Sequence, residues 1–392
     1  MFAKRTDWEF HSNQITLQLD VLKQNAVDVI DLTESNPTRC GFVYPSEKIL
    51  NTLSDPANLS YQPHPQGMLC ARQAVSQYYQ RLKVDIDPEK IFLTASTSEA
   101  YSYLFRLLAD PGDHILIAQP GYPLFQFLAD INDLHVDFYS LAYEDGWHID
   151  FETIENQISK KTRVLILVNP NNPTGSYIKK DELTALNHLC QKHHIAMICD
   201  EVFFDYPFED DQKNFLSLAH NRSTLTFTLS GISKILALPQ MKIGWIVVGG
   251  PEDQVQESLQ RLEVISDTFL SVSTPAQNAL PQWFSTQEKI QKELKYRTAV
   301  NRSELKKMAE HFPQCRLLEA EGGWYAILKI PGIKNEEQWV LELLNEGHVY
   351  VHPGYFFDFE DEPCLVLSLL TQPQRFQEGI KRIFRKIAQS VS

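Results

Sequence analysis

The chain is predicted to adopt an α/β fold: a large domain with a mostly parallel sheet covered by helices on both faces, joined to a smaller α+β domain. Three observations carry this. Between about residues 65 and 250, apolar runs of strand length alternate with longer amphipathic stretches of helical period, the pattern of right-handed βαβ crossovers. Beyond about residue 255 the pattern becomes helical and then yields isolated strands. A length of 392 residues with 43% hydrophobic content also exceeds what one simple core holds.

The elements follow in order. A polar opening with a helical pattern over 15–23 leads into the loop Leu32-Thr-Glu-Ser-Asn-Pro-Thr-Arg39. A helix is expected over 68–82, a strand over 91–94 and a helix over 99–108; Pro111-Gly-Asp then turns the chain into a strand over 114–118. A strand over 163–168 runs through Asn169-Pro-Asn-Asn-Pro-Thr-Gly175 to a helix over 180–193 and a strand over 195–200. The apolar stretch 224–229 ends just before Lys234, which is placed at the C-terminal edge of a buried strand. Helical patterns dominate 255–311. A strand over 321–330, a helix over 337–346, a strand near Val349 ending in His352-Pro-Gly354, a strand over 364–370 and a last helix complete the chain. The N-terminal segment is expected to pack on this last unit. The large domain is therefore 45–285, and the small domain is 1–44 with 286–392.

Composition narrows the function. The net charge is −14 with no long basic run, which argues against nucleic acid and anionic membrane surfaces as partners. No stretch approaches a membrane span, and the first residues lack the apolar core of a secretory signal. Six scattered cysteines without C-x-x-C spacing read as reduced thiols, so a cytoplasmic location is expected and no metal site is indicated. No G-x-G-x-x-G follows the first strand, which leaves a nicotinamide site unsupported. A sensor domain of a transcription regulator would need a DNA-binding module, and no basic helix-turn-helix segment precedes residue 60.

In an open α/β sheet, ligands bind beyond the carboxyl ends of the strands. Asn172, Asp200 and Lys234 each fall at or just past such an end, so one crevice can hold all three. A buried lysine can lose its proton and attack an aldehyde. Taken singly, most lysines are solvated charges, Asp200 would serve equally as a cap or a satisfied core carboxylate, and the Asn/Pro/Gly loop as an ordinary connection. Ser96-Thr-Ser-Glu99 has capping-box spacing ahead of an apolar helix, and a helix N-terminus of this kind is a ready anion site.

The loop 169–175, the Asp200-Glu201 pair and the Ser-x-x-Ser-Lys segment ending at Lys234 occur in an order and spacing that resemble a class I/II aminotransferase of the fold-type I pyridoxal-phosphate-dependent superfamily. The resemblance spans essentially the whole chain and implies a seven-stranded-type sheet and pyridoxal 5'-phosphate as cofactor. It implies that Lys234 holds the cofactor as an internal imine and moves the proton, that Asp200 faces the pyridine nitrogen, and that Asn172 donates to the ring oxygen. Tyr122 matches the aromatic that stacks on the ring. Ser96, Thr97, Ser98, Ser230 and Lys242 match the phosphate contacts. Tyr61 matches a tyrosine donated by a neighbouring subunit, which implies a homodimer. The implied reaction exchanges an amino group between an amino acid and a 2-oxo acid; a β-lyase acting on C–S bonds with the same cofactor is the alternative.

Three positions depart from the pattern. Phe203 stands where many relatives carry a tyrosine that bonds the ring oxygen, which predicts a raised imine pKa. Lys242 replaces an arginine and loses its bidentate fork. Val366, in Leu365-Val-Leu-Ser-Leu369, stands where the arginine that clamps the substrate carboxylate is expected. Arg39, in the loop with Asn36, is the candidate replacement and Arg375 a further option; His352 reads as a pocket-lining residue or as a packed strand-end histidine. Neither the acidic stretch 209–211 nor the aromatic stretch 356–359 indicates a substrate side chain.

Overall fold

A computed structural model of the chain describes residues 1–8, 10–209, 215–360 and 362–391; Asp210 and Asp211 of the acidic stretch lie outside the described residues. The large sheet consists of β1 (Ile91–Thr94), β2 (His114–Gln119), β3 (His135–Tyr143), β4 (Trp147–Ile149), β5 (Thr162–Val168), β6 (Ala196–Asp200), β7 (Thr226–Gly231) and β8 (Gly244–Gly249). Their spatial order is β1-β8-β7-β6-β5-β2-β3-β4. The run from β7 to β3 is parallel. β8 is antiparallel to β7 and β1, and β4 to β3. The sheet thus has an eighth strand, a three-residue edge piece folded back through a tight turn in which Glu144 N–H donates to Gly146 O. The periodicity reading passed over β3 and β4 because edge strands carry mixed rather than continuously apolar faces.

Alternate residues of the central strands feed opposite faces. Ile115, Ile117, Val164, Ile166, Ile198 and Phe227 pack against the helices Thr97–Leu108 and Glu252–Phe269. Leu116, Leu165, Leu167, Met197 and Cys199 pack against Lys180–His193. Helix 180–193 and strand 91–94 have the predicted bounds.

The second unit is a four-stranded antiparallel sheet of β9 (Arg316–Leu317), β10 (Tyr325–Lys329), β11 (His352–Pro353) and β12 (Cys364–Ser368), ordered β9-β10-β12-β11. The helices Gln14–Gln24, Gln287–Ala309 and Pro373–Val391 cover it over a core that includes Ile15, Leu22, Leu328, Leu367, Ile380 and Phe384. Ile30–Asp31 pairs in parallel with Val349–Tyr350, which ties the N-terminal segment to this unit. The strand expected from 321 starts only at Tyr325. The glycines before it bend toward the other unit: Gly322 N–H donates to Gly175 O at 3.0 Å, and Gly323 has φ +92°. Between the two sheets lies a cluster containing Cys40, Phe42, Phe203, Tyr206, Trp324 and Leu370. All six cysteines are free, and Cys70 is the exposed one.

Candidate active site

Sheet register builds the site. On three adjacent parallel strands, Val168 pairs with Asp200 and Asp200 with Leu229. The loop 169–175, the Asp200 carboxylate and Ser230 therefore leave the sheet side by side at its carboxyl edge. Lys234 follows on the one-turn helix Ile232–Ile235, one turn beyond the strand end. Its ammonium nitrogen lies 4.9 Å from the centre of the Trp324 ring and 5.3 Å from that of Phe203. Tyr206 O–H anchors the backbone at this point by donating to Lys234 O at 2.5 Å.

Burial sets the electrostatics. Desolvation lowers the Lys234 pKa to about 8, opposed by the negative charge of Asp200. Desolvation also raises the Asp200 pKa to about 6, opposed by the Val202 N–H, the Tyr101 hydroxyl and Lys234. Asp200 acts on Tyr122 as well, whose ring stands edge-on to Phe125 at 6.3 Å and is 42% exposed. The neighbouring Glu201 is a structural carboxylate: it accepts from Ser217 Oγ at 2.6 Å and from Leu218 N at 2.7 Å.

The loop residues divide their work. The Asn169 side chain donates to Leu216 O and accepts from Ile178 N. Asn171 Oδ1 accepts from the Thr174 amide and hydroxyl. Asn172 is different: its Oδ1 is buried with no partner, an acceptor with unused capacity. Asn169–Pro170 and Asn172–Pro173 are both cis.

The residues expected to meet an anion lie at the ends of β1 and β7 and just before β8. Ser96 caps its helix as expected, accepting from Glu99 N at 3.2 Å. The capping box is not closed, however. The Glu99 carboxylate accepts from Ala95 N at 2.7 Å and from Ser271 Oγ, so it does not return to the Ser96 amide. Thr97 and Ser98 are half-buried in the first turn. A methyl group added at Gly244 would stand 3.1 Å from the Ser96 carbonyl carbon and from Thr94 Oγ1, and 3.2 Å from Ser230 O. That glycine is what lets Ser96 and Ser230 approach each other. Lys242 is exposed two residues earlier, in the left-handed region at φ +55°.

Two expected residues stand apart. Tyr61 is 67% exposed and lines a surface cleft with Tyr103, Ser271 and Gln277. Arg39 is exposed and lies 4.0 Å from Glu34, while Asn36 Oδ1 is occupied by Thr38. Two other arginines are engaged. Arg375 pairs with Asp28, and Arg297 donates to Cys40 O and Leu370 O over the Phe42 ring. Val366 is fully buried opposite Ile327 and His352. Burial lowers the His352 pKa to about 4, which keeps this ring neutral. Tyr101 falls within the helix expected over 99–108 and Trp324 within the strand expected over 321–330, and neither pattern assigns them to the site.

Residues 27–383 match the aminotransferase class I and II family. The chain belongs to that family. It is a pyridoxal-phosphate-dependent aminotransferase that exchanges an amino group between an amino acid and a 2-oxo acid. The aminotransferase is 25% identical to the glutamate-pyruvate aminotransferase of Escherichia coli K12 over 86% of this chain and 85% of that one. It is 34% identical to an S-alkyl-thiohydroximate lyase of Arabidopsis thaliana, over 63% of this chain and 55% of the lyase. The alanine aminotransferase of Pyrococcus furiosus shares its fold with a TM-score of 0.90 at 23% identity, over 99% and 100% of the two chains. The residues present fit the family's cofactor. An orphaned amide oxygen, a half-buried lysine, a buried carboxylate and a cradle that a Cβ would fill lie along one edge of the sheet.

Proposed function

We propose that Lys234 is the catalytic residue of this aminotransferase and that Asp200, Asn172, Tyr122, Ser96, Thr97, Ser98, Ser230 and Lys242 bind the cofactor. One observation carries the reading. The half-buried Lys234 places its amine between two aromatic faces within the field of Asp200, with its pKa brought to about 8. Pyridoxal phosphate, when bound, supplies the carbonyl that carries the amino group and the ring that accepts electrons. Lys234 Nζ, neutral in part near physiological pH, would take the proton from the substrate Cα and carry it to the other side of the transfer. Asp200 would keep the ring nitrogen protonated, and the Asn172 amide would donate to the ring oxygen. The helix N-terminus at Ser96 and the Ser230 hydroxyl would hold the phosphate.

For the substrate, we infer that an α-carboxylate is met by Arg39, with Asn36 beside it, in place of an arginine at 366. Arg297 and Arg375 are engaged elsewhere, whereas Arg39 is held only loosely. The relatives named for alanine and glutamate–pyruvate transfer make that donor and acceptor pair the first to try. We propose a homodimer in which Tyr61 completes the partner's site. The exposed Leu59, Tyr61, Leu69 and Leu270 support this. We propose a cytoplasmic location, supported by the free thiols. The division into 45–285 and 1–44 with 286–392 is supported by the separate cores on the two sheets. Among the described residues, no helix is long and apolar enough to cross a membrane.

The test is an amino-donor panel on the loaded enzyme, read by absorbance. Conversion of the cofactor to its amine form, with 2-oxo acid released, is expected. Release of pyruvate and ammonia with the aldehyde form retained would replace transamination with C–S lyase chemistry.

A further inference from the structure

Asp200 is gripped on both oxygens. Val202 N–H donates to Oδ1 at 3.0 Å, and the Tyr101 hydroxyl donates to Oδ2 at 3.3 Å. A carboxylate held through one oxygen can rotate about its last bond; one held separately through each is fixed in plane. Tyr101 is itself immobilised. It is 3% exposed, its ring stands edge-on to Phe125 at 5.1 Å, and it packs against Phe105 at 5.9 Å. Burial keeps its hydroxyl protonated well past the ordinary range, so toward Asp200 it acts as a donor.

Tyr101 also belongs to the helix Thr97–Leu108, whose first turn carries Thr97 and Ser98 and whose cap is Ser96. One rigid helix thus presents hydroxyls and free N–H groups at its end and, three residues after Ser98, a donor to Asp200. The distance between the anion end and the ring-nitrogen end of the site is set by that helix.

We propose that Tyr101 is a positioning residue for Asp200, orienting the carboxylate toward the cofactor ring and keeping it ionised in its buried setting. This rests on the role of Asp200 proposed above. The Tyr101 hydroxyl acts through Asp200.

The experiment is a double-mutant cycle on the loaded enzyme with Tyr101→Phe, Asp200→Asn and the combination. Tyr101→Phe keeps the ring and removes one hydroxyl. It is expected to lower kcat about tenfold or more, the value of a hydrogen bond to a charged group, with KM unchanged within about twofold. It is also expected to weaken retention of the cofactor on dilution, followed by absorbance, and to leave Tm nearly unmoved. In the Asp200→Asn background the same change is expected to have little further effect, because the partner charge is gone. A kcat within about twofold of wild type for Tyr101→Phe, or an equal loss in both backgrounds, overturns the proposal. If Asp200→Asn itself keeps wild-type kcat and cofactor retention, the assignment of Asp200 falls first, and that outcome is distinct from failure of Tyr101 alone.

Discussion

Lys234 Nζ sits 4.9 Å from the centre of the Trp324 ring, which belongs to the apolar cluster between the two sheets. A cation over an indole face is stabilised by the ring quadrupole, but the same rings keep water away. Desolvation outweighs the opposing charge of Asp200, so the Lys234 pKa falls from 10.5 to about 8. The amine is thus partly neutral where an exposed lysine is not.

The first prediction concerns cofactor capture. The rate at which cofactor-free protein develops a visible band on adding pyridoxal phosphate is expected to rise with pH to a plateau, with a midpoint near 8. Lys234→Met is expected to develop no band. A midpoint above about 10 would mean that the amine is solvated.

Stability follows with a defined sign. A lysine with a lowered folded pKa contributes stability above its unfolded value, lost as pH falls through the folded one. Between 10.5 and about 8, wild type therefore loses stability that Lys234→Met does not. At pH 7 the cofactor-free variant is expected to be more stable by on the order of 2–3 kcal/mol. Denaturant titrations at pH 7 and pH 10 check this, and the gap should shrink at the higher pH.

Phe203 is buried with its ring 5.2 Å from Trp324 and offers no hydroxyl. Phe203→Tyr is expected to shift the pH midpoint of the loaded enzyme's visible band downward. A spectral titration in which the midpoint stays put, or in which wild type already titrates well under neutrality, would remove Phe203 from the control of that equilibrium.

Arg39 carries the carboxylate reading. Arg39→Ala is expected to raise KM for the amino donor about tenfold or more with a smaller change in kcat, and Arg39→Lys to fall between, because an ammonium keeps the charge without the fork. Steady-state kinetics decide it; unchanged donor affinity rules Arg39 out.

Gly244→Ala is expected to weaken cofactor binding and to lower stability by about 1–3 kcal/mol, because its Cβ meets backbone at Ser96 and Ser230. Equilibrium binding by fluorescence and thermal melts measure the two effects.

Much of this was legible in advance. Helix 180–193 and strand 91–94 are local, since a residue's periodicity is enough to place it. Lys234, Asp200 and Asn172 come to one edge because the strand ends of an open sheet share it. The open capping box at Ser96 was not foreseen, because Glu99 finds Ser271, distant in sequence, as a partner.

Sequence alone determined the α/β class, the family and the trio of polar residues at the strand ends. Only the tertiary structure decided that Tyr101 reaches Asp200 across 99 residues and that Trp324 covers Lys234. Such contacts depend on strand register and on how two sheets pack, and neither is encoded in local periodicity. An aromatic in a core pattern reads the same whether its hydroxyl or indole meets nothing or meets the one carboxylate or amine that matters.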